Sequence, residues 1–170
     1  VVFGVGVEQG IILAIVASIL EIIRRAYSPK DFVVVRDADG TPSYLAAEPG
    51  AQSAPGLVVF RFDAEMFYAN ASRFCDDVKA LVDGAPDPVR WVLLDAASLT
   101  DVDYSAGIQL KDLAGFFSAR GIHLGLVRAD DDLIATLTTY EVLGEDSEVT
   151  TYSTMDAGLA AFQADQGASR

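Results

Sequence analysis

Cysteine and histidine are nearly absent from this chain. A single Cys75 leaves no partner for an intrachain disulfide, and a single His123 leaves no histidine cluster to hold a metal. Basic residues are scarce as well. Twelve Lys and Arg stand against 25 Asp and Glu, a formal net charge of −13 in 170 residues. Phosphate-backbone binding needs a basic stripe, so a nucleic-acid partner is excluded. No glycine-rich loop ends in Lys-Ser or Lys-Thr, which excludes a P-loop. No nucleophile stands in a recognisable pattern with a base, so the chain is not expected to be an enzyme, and no catalytic residue, metal ligand or required cofactor is assigned.

What is present is hydrophobicity, at 51% of the residues, beside that large negative charge. The two are segregated. Residues 1–30 carry Arg24, Arg25 and Lys30 against Glu8 and Glu21, a net +1, which leaves −14 for the rest. Between Val1 and Ile23, 16 of 23 positions are Val, Ile, Leu, Phe or Ala. Three readings compete for this stretch. A signal peptide fits poorly, because the positive charges come after the apolar run instead of preceding it. A buried helix of a soluble protein is open, since Glu8–Gln9 interrupts the run. A membrane helix is favoured by length, and Arg24–Arg25 then place the rest of the chain in the cytoplasm. Gly6 and Gly10 are spaced for close approach of another helix. The chain opens at Val1 and not at a methionine, and is read as part of something longer. The expected division is a membrane-type segment over residues 1–28 and one acidic domain over 29–170.

The acidic part alternates strand and helix signals. Phe32–Arg36 and Pro42–Ala46 flank an Asp39–Gly40 turn and read as a hairpin. Leu57–Phe62, Trp91–Leu94, Ile122–Val127 and Glu148–Tyr152 read as further strands. Helices are expected after an N-cap at Asn70, after Asp101–Tyr104 and up to a Gly121 cap, over Leu133–Tyr140 behind the acidic cap Asp130–Asp132, and over Thr154–Gln163. The fold class is therefore α/β, a mixed but mostly parallel sheet of about five strands with four or five helices. His123, inside an apolar strand, reads as a hydrogen-bonded structural residue, and Cys75 as a small residue at the core edge.

One segment stands out, running from Asp95 to Gly107 off the carboxyl end of the most buried strand, the edge where open α/β sheets dock ligands and partners. Ser105 is placed at or near a helix N-cap. A phosphate on Ser105 would be stabilised by the free N–H groups there, or those groups would receive the phosphate of a nucleotide. Alternatively, Ser105 only caps the helix while Asp101 and Asp103 favour its positive end.

Here the chain resembles the STAS domain, shared by SulP-type sulfate transporters and bacterial anti-sigma-factor antagonists. Leu57–Phe62 followed by Met66-Phe-Tyr-Ala-Asn70-Ala, then Trp91–Asp95, Val102-Asp103-Tyr104-Ser105-Ala106-Gly107, Gly121–Val127 and Val149–Phe162 match the family in order, and residues 1–29 are similar to the last membrane helix of the transporters. The resemblance implies a regulatory and interaction domain of a sulfate or related anion transporter at the inner membrane, with residues 29–170 on its cytoplasmic side. It implies as partners the transmembrane domain of the same transporter and other cytoplasmic proteins. It also implies a binding site for guanine nucleotide, GTP or GDP, and Ser105 as the phosphorylation switch. The face expected to carry these contacts comprises Phe67, Tyr68, Asn70, Asp101, Asp103, Tyr104, Ser105, Gly107 and Ile108. The alternative is a free-standing antagonist-like switch protein controlled by serine phosphorylation. Tyr104, in place of a small residue, and Ala106, between Ser105 and Gly107, depart from the antagonist loop.

Overall fold

The computed structural model of the chain describes residues 6–168 apart from 28–30, 38 and 146, with the side chains of residues 24–27 left out of account. Five helices and six strands are found among these residues. They run α1 (Val7–Tyr27), β1 (Asp31–Arg36), β2 (Pro42–Ala46), β3 (Leu57–Phe62), α2 (Tyr68–Asp83), β4 (Trp91–Asp95), α3 (Tyr104–Ser118), β5 (His123–Val127), α4 (Asp131–Thr139), β6 (Val149–Tyr152) and α5 (Met155–Ala168). The strands form one sheet of six in the order β2-β1-β3-β4-β5-β6, in keeping with the about five expected. β1 is antiparallel to both β2 and β3, whereas β3, β4, β5 and β6 are parallel neighbours.

Period-two alternation sorts the strand residues between two cores. Val58, Phe60 and Phe62 of β3, with Val92 and Leu94 of β4 and Leu124 and Leu126 of β5, face a large apolar cluster built with α2, α3 and α4. Phe74 of α2 meets Phe60 and Phe62 edge-on, with ring centroids 5.3 and 5.1 Å apart. The opposite face gives Val34, Leu57, Val59, Trp91, Leu93 and Val127 to a smaller cluster closed by Phe162 of α5. β4 is buried along its whole length, as a parallel strand covered on both faces must be. Close approach of α5 depends on Gly158, where an added Cβ would lie 2.9 Å from Val127 Cγ1 and 3.2 Å from Leu93 Cδ1.

Two expectations about helix ends change. α2 begins after Phe67, not after Asn70; Asn70 sits three residues inside, where its Oδ1 accepts from Phe67 N at 3.0 Å. The carboxamide thus caps backward from within the first turn, a device that a search for a capping residue ahead of the helix does not reveal. α3 ends at Ser118 with Ala119 as its cap, and Gly121 instead supplies the left-handed turn (φ +68°) that leads into β5. Asp130 caps α4 as expected, accepting from Leu133 N at 2.8 Å. His123 is a structural residue: it stacks on Trp91 at 3.9 Å and lies 3.2 Å from the Tyr152 hydroxyl. Cys75 is buried against the Gln109 carbonyl, and burial pushes its thiol up to about 11, far from reactive.

The leader differs most from expectation. α1 exists, but no helix among the described residues is long and apolar enough to cross a membrane. Glu8 and Glu21 bracket an uncharged run of 12 residues, which spans about 18 Å against roughly 30 Å of hydrocarbon. Every large apolar side chain of α1 described, from Val7 to Ile23, is exposed.

Candidate functional site

The carboxyl ends of β3 and β4 lead to the starts of α2 and α3, and the backbone joins those two starts. Met66 pairs with Val102 as an isolated parallel bridge. Met66 N donates to Asp101 O at 3.1 Å, and Asp103 N to Met66 O at 3.2 Å. Asp103 then ties both helices together. One carboxylate oxygen accepts from Ala106 N and the other from Tyr68 N, each at 2.8 Å. These backbone donors favour the ionised form and hold the Asp103 carboxyl below the usual carboxylate range. Asp103, not Ser105, is therefore the N-cap of α3.

The residues singled out from sequence fall into two groups. Tyr68, Tyr104, Ser105 and Ile108 are exposed around the joined helix starts, with Phe67 half-buried beside them. Tyr68 and Tyr104 are 66% and 64% exposed, unusual for rings of that size in a body packed this well. Tyr104 is edge-on to Tyr140 at 5.5 Å. Asn70 and Gly107, by contrast, are buried and belong to the scaffold. Asn70 donates to Glu65 O at 2.9 Å in addition to its capping bond. Gly107 lies under Tyr140, where a Cβ would fall 2.5 Å from the ring. Asp101 is exposed and its side chain accepts from Val102 N at 2.8 Å. The N–H groups that would receive a phosphate at α3 already face the Asp103 carboxylate, so an incoming phosphate meets negative charge there.

Sequence reasoning missed a polar cluster at the same sheet edge. Asp95 is buried at the end of β4, where the Arg128 guanidinium grips it in bidentate fashion, Nε donating to Oδ1 at 3.0 Å. Arg61 approaches its other oxygen at 3.4 Å and bonds Ser98 Oγ at 2.6 Å. The carboxylate of Asp95 in turn raises the Arg128 pKa. Arg128 takes a left-handed backbone (φ +63°) to make this contact, a conformation costly outside glycine. The pairing spans 33 residues, and no local pattern announces it. On the same face a groove of about 520 Å³ lies between α5 and the β1–β2 hairpin, with Val34, Val59 and Leu159 among its apolar walls. Its two arginines, Arg36 and Arg128, are already paired to Asp156 and Asp95, so the groove offers little uncompensated charge to a ligand. Among the described residues no group of three or more His, Cys, Asp or Glu is placed to hold a metal ion.

Comparison with known proteins places this geometry. The family model for the STAS domain matches residues 48–158. The "Probable sulfate transporter" of Mycobacterium tuberculosis strain H37Rv is 33% identical over 170 residues, covering 95% of this chain and 29% of its own length. The chain thus spans less than a third of that relative. Among solved structures, the murine Slc26a9 anion transporter in the inward-facing state superposes with a TM-score of 0.73 at 19% identity, over 91% of this chain and 25% of its own. The anti-sigma factor antagonist SpoIIAA in its unphosphorylated form superposes with a TM-score of 0.50 at 12% identity, over 69% of this chain and 96% of its own. These last two likenesses are of fold. The transporter match leaves out under a tenth of the chain, less than the length of α1, so it takes in part of that helix.

Proposed function

The chain belongs to the STAS domain family, and from that premise we propose that it is the cytoplasmic regulatory and interaction domain of a membrane transporter for sulfate or a related anion. It performs no bond chemistry of its own. α1 is its connection to the transmembrane domain of the same transporter, and the face around Tyr68, Tyr104, Ser105 and Ile108 is its docking surface for that domain or for other cytoplasmic proteins.

The observation that carries this reading is the state of α1. A helix apolar on all sides buries itself in a core, against another helix or in lipid. Here it leaves every described large apolar side chain exposed while the body beside it is fully packed. The missing surroundings are supplied by a neighbouring apolar body, and the sulfate-transporter relative aligned over 95% of the chain is long enough to provide one. The exposed tyrosines support the second contact, since Tyr buries a large apolar area in an interface while keeping a polar tip.

The test is sulfate uptake into vesicles by the complete polypeptide. Tyr68→Ser combined with Tyr104→Ser is expected to reduce uptake at least several-fold while leaving the melting temperature of the body within a degree or two. Uptake equal to wild type would remove the docking face from the account. Guanine nucleotide, titrated to millimolar concentration against the isotopically labelled chain, tests the finer reading: shifts at Phe67, Tyr68 and Tyr104 to Ile108 support it, and a flat titration discards it. A second reading, the free-standing serine switch, draws on the exposed Ser105 hydroxyl. It explains neither the bare apolar surface of α1 nor the shorter stretch of chain that the antagonist fold covers.

A further inference from the structure

Where the chain enters the sheet, at the first residue of β1, two carboxylates share one guanidinium. Asp31 contributes a side chain that is 5% exposed, and its Oδ2 lies 3.2 Å from Arg73 Nη2 of α2. Arg73 is also paired to Asp77 one turn further along the same helix, Nε to Oδ2 at 3.2 Å. The other oxygen of Asp31, Oδ1, is buried and has no hydrogen-bond partner among the described residues. An ionised carboxylate with one lone oxygen cut off from both water and donors is costly, and a well-packed interior rarely keeps one. With both carboxyls ionised, Asp31 and Asp77 set two negative charges against the one positive charge of Arg73.

We propose that Asp31 and Asp77 form a proton-binding carboxyl pair, held by Arg73, that latches the first strand of the domain to α2 when it carries a proton and loosens that joint when it does not. A proton on the pair removes the repulsion between its two carboxylates and turns one of two facing acceptors into a donor. Burial and the neighbouring Asp77 push the Asp31 carboxyl up to about 7, with Arg73 only partly offsetting them. Among the described residues, the charged groups that act most on Asp31 are Arg73 and Asp77, both from α2. β2 and β3 bring the uncharged Ala46, Ala47 and Phe62 alongside, and Glu48 comes directly after Ala47. On α1, Glu21 is half-buried. β1 is the first described element after α1, so the latch lies at the joint between that helix and the body, whatever polypeptide carries them.

The raised value sets the sign of the effect. A carboxyl that binds its proton more tightly when folded contributes stability that is fully present below its unfolded pKa of about 4 and is lost as pH rises through about 7. The experiment is carboxyl-carbon NMR titration of the full 170-residue chain in detergent micelles, together with melting temperature against pH. Asp31 is expected to titrate near 7, Asp77→Asn to lower that midpoint, and the wild type to gain about 4 °C between pH 8 and pH 6 relative to Asp31→Asn. Asp31→Asn keeps the shape of the side chain, so a folded control is available. Titration of Asp31 in the ordinary carboxylate range, or an identical pH slope in wild type and Asp31→Asn, overturns the proposal.

Discussion

α1 and the sheet body are both rich in apolar residues, and yet α1 exposes every large apolar side chain described while the body exposes only a few, Tyr68, Tyr104 and Ile108 among them. The body alternates its apolar residues with period two in strands and places them on one side of each helix, so neighbouring elements bury them. Residues 11–20 are apolar on every side but for Ser18, and only a surrounding medium or several neighbours can cover such a stretch of helix. Apolar content therefore says how much surface must be hidden, while its periodicity says whether the chain can hide that surface by itself. For α1 it cannot.

The difference between helix and body is expected to be largest in the cores. Leu113→Ala, at a fully buried position of α3, should lower the stability of the body by about 2–5 kcal/mol through lost burial and the remaining cavity. Ile15→Ala on α1 should leave it unchanged within about half a kcal/mol, as for an exposed position. Chemical denaturation of both variants measures the contrast, and equal losses would mean that α1 is part of the core. A step smaller is the buried charge of the body. Arg128→Ala leaves Asp95 with the longer Arg61 contact and the Ala97 N–H and is expected to cost about 3 kcal/mol by the same measurement. A negligible loss would show that water reaches Asp95 freely.

The Asp103 tie between α2 and α3 ranks next. Asp103→Ala frees two backbone donors and should cost about 1–2 kcal/mol. Because the folded protein holds this carboxyl below its usual range, its contribution is present at neutral pH and is lost as pH falls through the lowered value. The wild-type advantage over Asp103→Ala should accordingly vanish in strong acid, and a difference that persists there would point to a packing role. The smallest expected effect on stability is that of Ser105→Glu, since the hydroxyl is exposed. It should alter partner capture more than melting temperature, and equal changes in both would make Ser105 structural.

Much of the body was legible in the sequence because its signals are local. The hairpin announced itself through Asp39–Gly40, β4 through a continuous apolar run, and α4 through Asp130. The start of α2 was misplaced because its cap reaches backward from Asn70. Of the candidate face, Tyr68, Tyr104, Ser105 and Ile108 are exposed as a docking surface requires, whereas Asn70 and Gly107 proved to be framework. Long-range electrostatics left no trace in the sequence pattern. Asp95 with Arg128, and Asp31 with Arg73, meet only after the sheet has formed, and nothing in the spacing of a pair 33 or 42 residues apart distinguishes it from chance.

Removal of residues 1–28 puts the division between helix and body to its most direct test. Thermal unfolding of the remaining 29–170 should show one cooperative transition at the temperature of the full chain, from a protein that stays in solution without detergent. A truncated chain that aggregates, or melts well below the intact one, would contradict the account by showing that α1 belongs to the fold it adjoins.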